Sequence, residues 1–190
     1  ESIEGGIMIT ASHNPAGYNG MKMVRGNVMP IGKGYGMAEL KQLVLSGDFT
    51  DAQEKGSVVY KEILDEFIEK VFSLVDITKI KPMTIVVDAG NGVAGPFIHE
   101  LLWKIPQLKV LEMYFEPDGT FPNHEANPLK YETLDDLKSR VLTQRATVGF
   151  ALDGDGDRVG IIDESGNILG GDFITALLAE QLLKRPENKG

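Results

Sequence analysis

From residue 60 onwards, segments of strand length alternate with segments of helical periodicity, and this alternation restricts the fold more than any other feature of the sequence. Between residues 60 and 75, apolar side chains recur at helical spacing with charged side chains between them, which predicts an amphipathic helix. Strands are predicted over residues 84–88, 109–114, 147–152 and 159–163, and further helices around residues 101–102, over 132–145 and over 172–184. This order favours an α/β fold with a mixed or largely parallel sheet flanked by helices.

The first part of the chain has a different pattern. Strands are predicted over residues 6–10 and 20–25, and the loop between them contains Asn14-Pro15, a step that disfavours helix. A helix is predicted over residues 37–45, followed by a polar, turn-rich segment with the composition of a linker. We expect residues 1–57 to end a first domain, residues 58–165 to form a second, and residues 166–190 to begin a third that is cut short. Because the chain begins with Glu1 rather than Met and enters a strand at once, we expect it to be a piece of a longer, truncated protein.

Composition narrows the classes of partner. The chain has 190 residues, of which 42% are apolar and 25% charged, within the ordinary range for a globular protein. The formal net charge of −9 argues against binding to nucleic acid or an anionic membrane, since both need clustered basic residues. The chain has no cysteine, which suits a cytoplasmic location, and no apolar run approaches the ~20 residues of a membrane span.

Three carboxylates alternate with glycines in the segment DGDGDR. Asp153, Asp155 and Asp157 are separated only by Gly154 and Gly156, whose conformational freedom lets the backbone curl around one cation. Carboxylate oxygens bind hard cations, so we predict a Mg²⁺ site here. The alternative of a solvated acidic turn would crowd three like charges together.

A calcium-binding module is the rival metal hypothesis. The three aspartates and Glu164 fall at the first, third, fifth and twelfth positions of the EF-hand pattern. Arg158, however, occupies the sixth position, where the EF-hand needs glycine, and the flanking segments have strand rather than helix patterns. Arg158 is better explained as a cation that grips phosphate oxygens beside the site.

The segment TASHNP places Ser12 and His13 on a loop that leaves a strand, where reacting groups are often displayed. Lys22 follows in YNGMK and could reach back as a proton carrier or a phosphate clamp. Taken alone, these residues are also compatible with a turn capped by a hydroxyl and with a solvated lysine.

Together, TASHNP, YNGMK and DGDGDR resemble the motifs of the α-D-phosphohexomutase family, the phosphomannomutases and phosphoglucomutases. The segments DAGNGVAGP, PDGTFPNHEANP and ILGGD are also similar to that family. The sequence around Ser12 most resembles the bacterial phosphomannomutase branch of the family. The resemblance covers the whole chain. It implies a four-domain enzyme that interconverts hexose 6-phosphate and hexose 1-phosphate, with mannose the expected sugar, through a bisphosphorylated sugar.

The resemblance also assigns roles to residues. Ser12 would carry the phosphate, and Asp153, Asp155 and Asp157 would hold Mg²⁺ together with that phosphate. His13 and Lys22 would handle protons and contact phosphate, with Arg158 beside them. The loops that select the sugar and bind its phosphate belong to the third and fourth domains of the family. We therefore predict that these 190 residues alone have little mutase activity.

A nicotinamide-dependent oxidoreductase is the rival enzyme class. Gly90, Gly92 and Gly95 follow a strand and open a helix, which is the local form of the dinucleotide-binding fingerprint. The same glycines also suit close packing of a helix against a strand. We expect the other residues considered, Asn123, His124 and Trp103, to be loop and packing residues, with His124 also a candidate for the lining of a cleft.

Overall fold

The computed structural model describes residues 3–185, which fall into two compact units. The first unit comprises the chain up to Ala11 together with Tyr18–Asp65. The second comprises Ser12–Gly17 and the chain from Glu66 onwards. The short segment that carries Ser12 therefore belongs to the same unit as the aspartate loop.

The first unit contains a small antiparallel sheet and one helix. Its strands are β1 (Gly5–Ile9), β2 (Met21–Arg25) and β3 (Met29–Pro30), in that spatial order, and its helix is α1 (Met37–Ser46). The two predicted strands and the predicted helix are confirmed. The two-residue strand β3 was not predicted, because so short a segment shows no periodicity.

Helix α2 (Leu64–Leu74) is shorter than the helix predicted over residues 60–75. Residues 48–63 form neither helix nor strand, and Tyr60 is 93% exposed. Apolar spacing alone does not stabilise a helix whose apolar face has nothing to pack against, so the regular structure begins four residues later than predicted.

The second unit is built around a five-stranded sheet. Its elements in chain order are β4 (Met83–Asp88), α3 (Ala94–Trp103), β5 (Leu108–Met113), α4 (Asp135–Gln144), β6 (Val148–Leu152), β7 (Val159–Asp163), β8 (Ile168–Leu169) and α5 (Gly171–Leu183). The spatial order of the strands is β5-β4-β6-β7-β8. The predicted α/β fold with a mixed sheet and flanking helices is confirmed.

Parallel pairing is confined to one half of this sheet. Strand β4 pairs in parallel with both β5 and β6, whereas β6, β7 and β8 are antiparallel. The expectation of a largely parallel sheet thus holds for only two of the four strand pairs, because the short loop between β6 and β7 makes a hairpin and a parallel pair needs a long crossover.

The core lies where α4 packs on the sheet. It is formed by buried residues of the central strands, of α4 and of the segments on either side of α4: Val86, Leu134, Leu137, Val141, Ala146, Ala151 and Ile162. Gly149 on β6 allows this close packing, since a Cβ there would lie 2.6 Å from a Val141 methyl group. The helix predicted over residues 132–145 begins instead with a 3₁₀ turn, Tyr131–Leu134, and becomes α-helical at Asp135.

Two loops emerge side by side from the sheet. The last residue of β4, Asp88, is in register with Ala151 near the end of β6, and the two strands are parallel. The turn after β4 and the aspartate loop after β6 therefore leave the sheet at the same edge. Within residues 3–185, no helix has the length and apolar character needed to cross a membrane.

Candidate active site

The aspartate loop is a tight hairpin loop between β6 and β7. The Asp153 N–H donates to the Arg158 carbonyl at 3.3 Å, and the Gly156 N–H donates to the Asp153 carbonyl at 3.0 Å. Gly156 has a φ of 73°, a left-handed conformation that glycine adopts without strain. The flanking segments are paired strands, so the helix–loop–helix arrangement of an EF-hand is absent here.

The three aspartates converge within this loop. Asp153, Asp155 and Asp157 each present a carboxylate oxygen, and these oxygens lie within 4.8 Å of one another. Asp153 is buried, Asp155 is half-buried and Asp157 is exposed, so the cluster opens outwards from the sheet. Oxygen ligands at this separation fit a hard divalent cation.

The buried Asp153 connects the loop to Ser12. Its Oδ1 accepts a hydrogen bond from the Arg158 backbone N–H at 3.0 Å. Its Oδ2 accepts one from the Ser12 hydroxyl at 3.1 Å, although the two residues are 141 positions apart in the sequence. One carboxylate thus fixes both the end of the aspartate loop and the serine.

Arg158 lies between the serine and the carboxylates. Its Nη2 donates to Ser12 Oγ at 3.0 Å. Its Nε is 3.5 Å from Asp153 Oδ2 and 3.6 Å from Asp157 Oδ1. The arginine therefore supplies positive charge at the serine oxygen, and its own charge is balanced by the aspartates.

The backbone at Ser12 is strained. Its φ of 56° lies in the left-handed region, which a non-glycine residue adopts at a cost of about 1 kcal/mol or more. Gly154 packs closely on this residue, and a Cβ there would overlap the Ser12 carbonyl oxygen. The neighbouring His13 places Nδ1 3.3 Å from Ser12 Oγ.

Lys22 lies on β2, opposite Met8 of β1, and is exposed. It belongs to the first unit, whereas the residues that converge on Ser12 belong to the second. The role of Lys22 in proton transfer or phosphate binding stays a prediction.

The glycine turn after β4 packs against the aspartate loop. Its backbone amides are engaged within the protein: Gly90 N–H donates to Asp88 Oδ1, Asn91 N–H to the Tyr114 carbonyl, Gly92 N–H to the Ala89 carbonyl and Val93 N–H to the Gly154 carbonyl. A Cβ at Gly92 would lie 2.7 Å from the Gly154 oxygen. Since these amides are not available to a pyrophosphate, the turn has the packing role rather than the dinucleotide-binding one.

Sequence reasoning missed the part that Asp88 plays. This fully buried carboxylate accepts from Gly90 N–H through Oδ1, and His124 Nε2 lies 2.9 Å from its Oδ2. A second link joins the same segments, since Asn123 Nδ2 donates to Asn91 Oδ1 at 2.7 Å. The one indication in the sequence was a charged residue at the end of an apolar strand.

The structure places the three residues that were expected to be loop and packing residues in different surroundings. His124 and Asn123 are held in the hydrogen bonds just described, and the carboxylate of Asp88 raises the pKa of His124 above its ordinary value. Trp103 was wrongly predicted to pack, because it is 73% exposed and its ring contacts that of His99 at the surface.

Two family profiles match the segments that carry the aspartate loop and Ser12. The profile described as phosphoglucomutase/phosphomannomutase, alpha/beta/alpha domain II, matches residues 65–166, which include the aspartate loop. The chain belongs to the phosphoglucomutase/phosphomannomutase family. The profile for domain I of that family matches residues 1–51, which include Ser12.

Individual members of the family extend well beyond this chain. A phosphomannomutase of Vibrio cholerae is 39% identical over 189 residues, which cover 97% of this chain and 41% of that protein. A phosphoglucomutase of Neisseria meningitidis serogroup B is 39% identical over 180 residues, covering 95% and 38% respectively. The crystal structure of a family protein from Burkholderia thailandensis superimposes with a TM-score of 0.79 at 36% identity, covering 96% of this chain and 38% of that one. The chain thus spans about two fifths of the length of the relatives it matches.

Proposed function

We propose that this chain is part of a phosphohexomutase that interconverts hexose 6-phosphate and hexose 1-phosphate, with mannose as the sugar and Ser12 as the phosphate carrier. The observation that carries the proposal is the position of Ser12 Oγ, which contacts Asp153 Oδ2 at 3.1 Å and Arg158 Nη2 at 3.0 Å. The names of the relatives, phosphomannomutase and phosphoglucomutase, support the same reaction class.

The charges around Ser12 suit a phosphate. A phosphoserine carries a charge of roughly −1.5 to −2 at neutral pH. The hydrogen bond from the Ser12 hydroxyl to Asp153 is lost on phosphorylation, and phosphate and carboxylate then repel each other unless a cation lies between them. Arg158 provides one positive charge, and a divalent ion at the aspartate cluster would provide the rest.

The residues that would hold this ion are Asp153, Asp155 and Asp157, together with the phosphate on Ser12. We propose Mg²⁺, because three carboxylates offer the oxygen ligands it prefers. When bound, it would neutralise charge on the phosphoryl oxygens. Arg158 would orient those oxygens through its planar fork.

In the proposed transfer, a sugar hydroxyl attacks the phosphorus, a new P–O bond forms to the sugar, and the bond between phosphorus and Ser12 Oγ breaks. The proton of the sugar hydroxyl passes to a base, and Ser12 Oγ takes up a proton. His13 is the proposed source of this second proton, and its Nδ1, 3.3 Å from Oγ, supports that role. Lys22 is the proposed base, and the reverse step at the other sugar oxygen completes the exchange through a bisphosphorylated sugar.

The proposed domain organisation is that of the sequence prediction: a first domain ending at residue 57, a second over 58–165 and a third beginning at 166. With the sugar-selecting segments expected in further domains, phosphoryl transfer to Ser12 is the half-reaction to test in this chain. Turnover of mannose 1-phosphate by the 190 residues alone is expected to be low, and robust turnover would contradict that expectation. A cytoplasmic location is part of the proposal.

Intact-mass measurement tests the proposal. The protein is incubated with Mg²⁺ and a hexose 1,6-bisphosphate, which supplies the phosphoryl group. Wild type and the control Ser165→Ala, which changes an exposed turn of the same unit, should each gain one phosphoryl group, and Ser12→Ala should gain none. Phosphorylation that persists unchanged in Ser12→Ala would contradict the role of Ser12.

A further inference from the structure

A buried histidine–aspartate pair lies outside the residues used so far. Asp88 is fully buried at the end of β4, and His124 is mostly buried, with 15% of its side chain exposed. His124 Nε2 lies 2.9 Å from Asp88 Oδ2, and Nδ1 lies 2.9 Å from the Glu125 carbonyl oxygen. The ring also meets the edge of Tyr114, with centroids 5.4 Å apart.

These contacts define the protonation state of His124. A carbonyl oxygen and a carboxylate oxygen are both acceptors, so each ring nitrogen must carry a proton to make its hydrogen bond. A histidine with both nitrogens protonated is an imidazolium cation. Its positive charge is the partner that a fully buried Asp88 carboxylate requires.

The histidine–aspartate pair is connected to the aspartate loop through the glycine turn after β4. The other oxygen of Asp88 accepts from the Gly90 N–H, and three residues beyond Gly90, the Val93 N–H donates to the Gly154 carbonyl at 3.0 Å. The segment that carries His124 also approaches the loop directly, because the Phe121 ring lies against Gly154. Both contacts are made to Gly154, the glycine between the first two aspartates of the aspartate loop.

We propose that His124, as an imidazolium paired with Asp88, is a positioning residue for the aspartate loop, here called the metal loop. Through the turn after β4, the pair keeps Asp153, Asp155 and Asp157 in position to bind a divalent cation. This inference rests on the proposed metal site. His124 contacts neither the aspartates of the loop nor Ser12 in the hydrogen bonds described, and it acts through the turn after β4.

The charges that face His124 favour its cationic form. Asp88 is the largest influence and raises the pKa of His124, with a smaller contribution in the same direction from Asp136. Asp136 accepts the hydrogen bond of Tyr114, whose pKa is raised to about 12 by that contact, so the phenol stays neutral. The side chain of Glu125 forms an ion pair with Lys130.

The sign of the pH dependence follows. Because the pKa of His124 in the folded protein lies above its ordinary value, the pair contributes its full stabilisation at low pH and loses it as pH rises through the raised pKa. Above that pH, Asp88 is a buried charge without a cation, and the turn it holds becomes less stable. Affinity for the metal should therefore fall on the alkaline side.

His124→Gln is the test variant, since glutamine keeps an N–H donor but cannot carry the charge. His99→Gln is the matched control: His99 makes the same kind of contact, Nδ1 to Glu112 Oε1 at 2.6 Å, but at the surface, where such a pair contributes little. Mg²⁺ is titrated calorimetrically into each protein. The expected result is a loss of roughly tenfold in affinity for His124→Gln, the low end of what outer-shell partners of a metal contribute, and none for His99→Gln.

A second measurement keeps the test decisive if His124→Gln fails to fold. Nitrogen-15 NMR of the wild type should show both His124 ring nitrogens protonated at neutral pH. As pH rises and His124 loses its proton, the Mg²⁺ affinity of the protein should decline. A neutral His124 at pH 7, or a variant that binds Mg²⁺ as tightly as wild type, would overturn the positioning role and leave the metal site standing. No Mg²⁺ binding by the wild type would overturn the metal site and the positioning role together.

Discussion

The turn after β4 and the loop after β6 are both glycine-rich, and both leave parallel strands at the same edge of one sheet. In the first, the amides of residues 90–93 are hydrogen-bonded inside the protein. In the second, glycines separate three carboxylates that converge within 4.8 Å. Glycine spacing alone therefore does not distinguish a binding loop from a support; the destination of the amides and side chains does.

The two loops also depend on each other. Gly92 packs on the backbone of Gly154, and Gly156 packs on Ala94, where a Cβ added to the glycine would lie 2.6 Å from the alanine methyl group. The turn after β4 is thus the support against which the aspartate loop packs. Changes in each loop should have different consequences, and these can be measured.

The largest effect is expected from Asp153→Asn. Loss of a charged ligand should weaken Mg²⁺ binding by at least about 100-fold, the upper end of the effects of outer-shell changes at metal sites. Glu164→Gln is the control, because Glu164 is the twelfth residue of the EF-hand pattern and should matter only if that pattern is correct. Calorimetry with Mg²⁺ and Ca²⁺ checks both, and a comparable loss in Glu164→Gln would favour the calcium-binding hypothesis.

Gly154→Ala should uncouple the aspartate loop from the serine. The new Cβ overlaps the Ser12 carbonyl oxygen, so one backbone must move, and a displacement of about 1 Å can slow a reaction about 100-fold. A time course of Ser12 phosphorylation by a hexose 1,6-bisphosphate, followed by intact mass, measures the change. A wild-type rate in the folded variant would show that the close contact has no role in transfer.

Gly92→Ala should act on the fold rather than on dinucleotide binding. Its Cβ would lie 2.7 Å from the Gly154 oxygen, and overpacking of this kind destabilises a protein by about 2 kcal/mol. Urea denaturation measures this loss. Calorimetry with NAD should give no binding for the wild type; binding that Gly92→Ala abolishes would restore the oxidoreductase hypothesis.

The smallest effect is expected from Gly119→Ala, a glycine of the same unit that is not part of either loop. Its φ is not in the left-handed range and an added Cβ meets no atom within 4 Å. The free energy of unfolding should change by less than about 0.5 kcal/mol, as for most surface substitutions. A larger loss in urea denaturation would mean that sensitivity to alanine at glycine positions is general and not specific to the two loops.

Most of the elements of the fold could be predicted because their patterns are local. The helix at 171–183 and the strands on both sides of the aspartate loop lie within two residues of their predicted bounds. The strand β8 could not be predicted, since its two residues are ordered by pairing with β7 and not by any periodicity. The start of α2 at Leu64 likewise depends on packing that the spacing of apolar residues does not reveal.

By itself, the sequence determined which chemical groups are available: three carboxylates on a glycine-rich loop, a serine on a loop after a strand, and an arginine beside the carboxylates. These properties are local, so they can be deduced from neighbouring residues. Only the tertiary structure decided that Asp153 is the carboxylate that meets Ser12, that His124 pairs with Asp88, and that the glycines after β4 pack against the aspartate loop. The physical reason is that each of these contacts joins distant segments, and strand register and burial determine which of them meet.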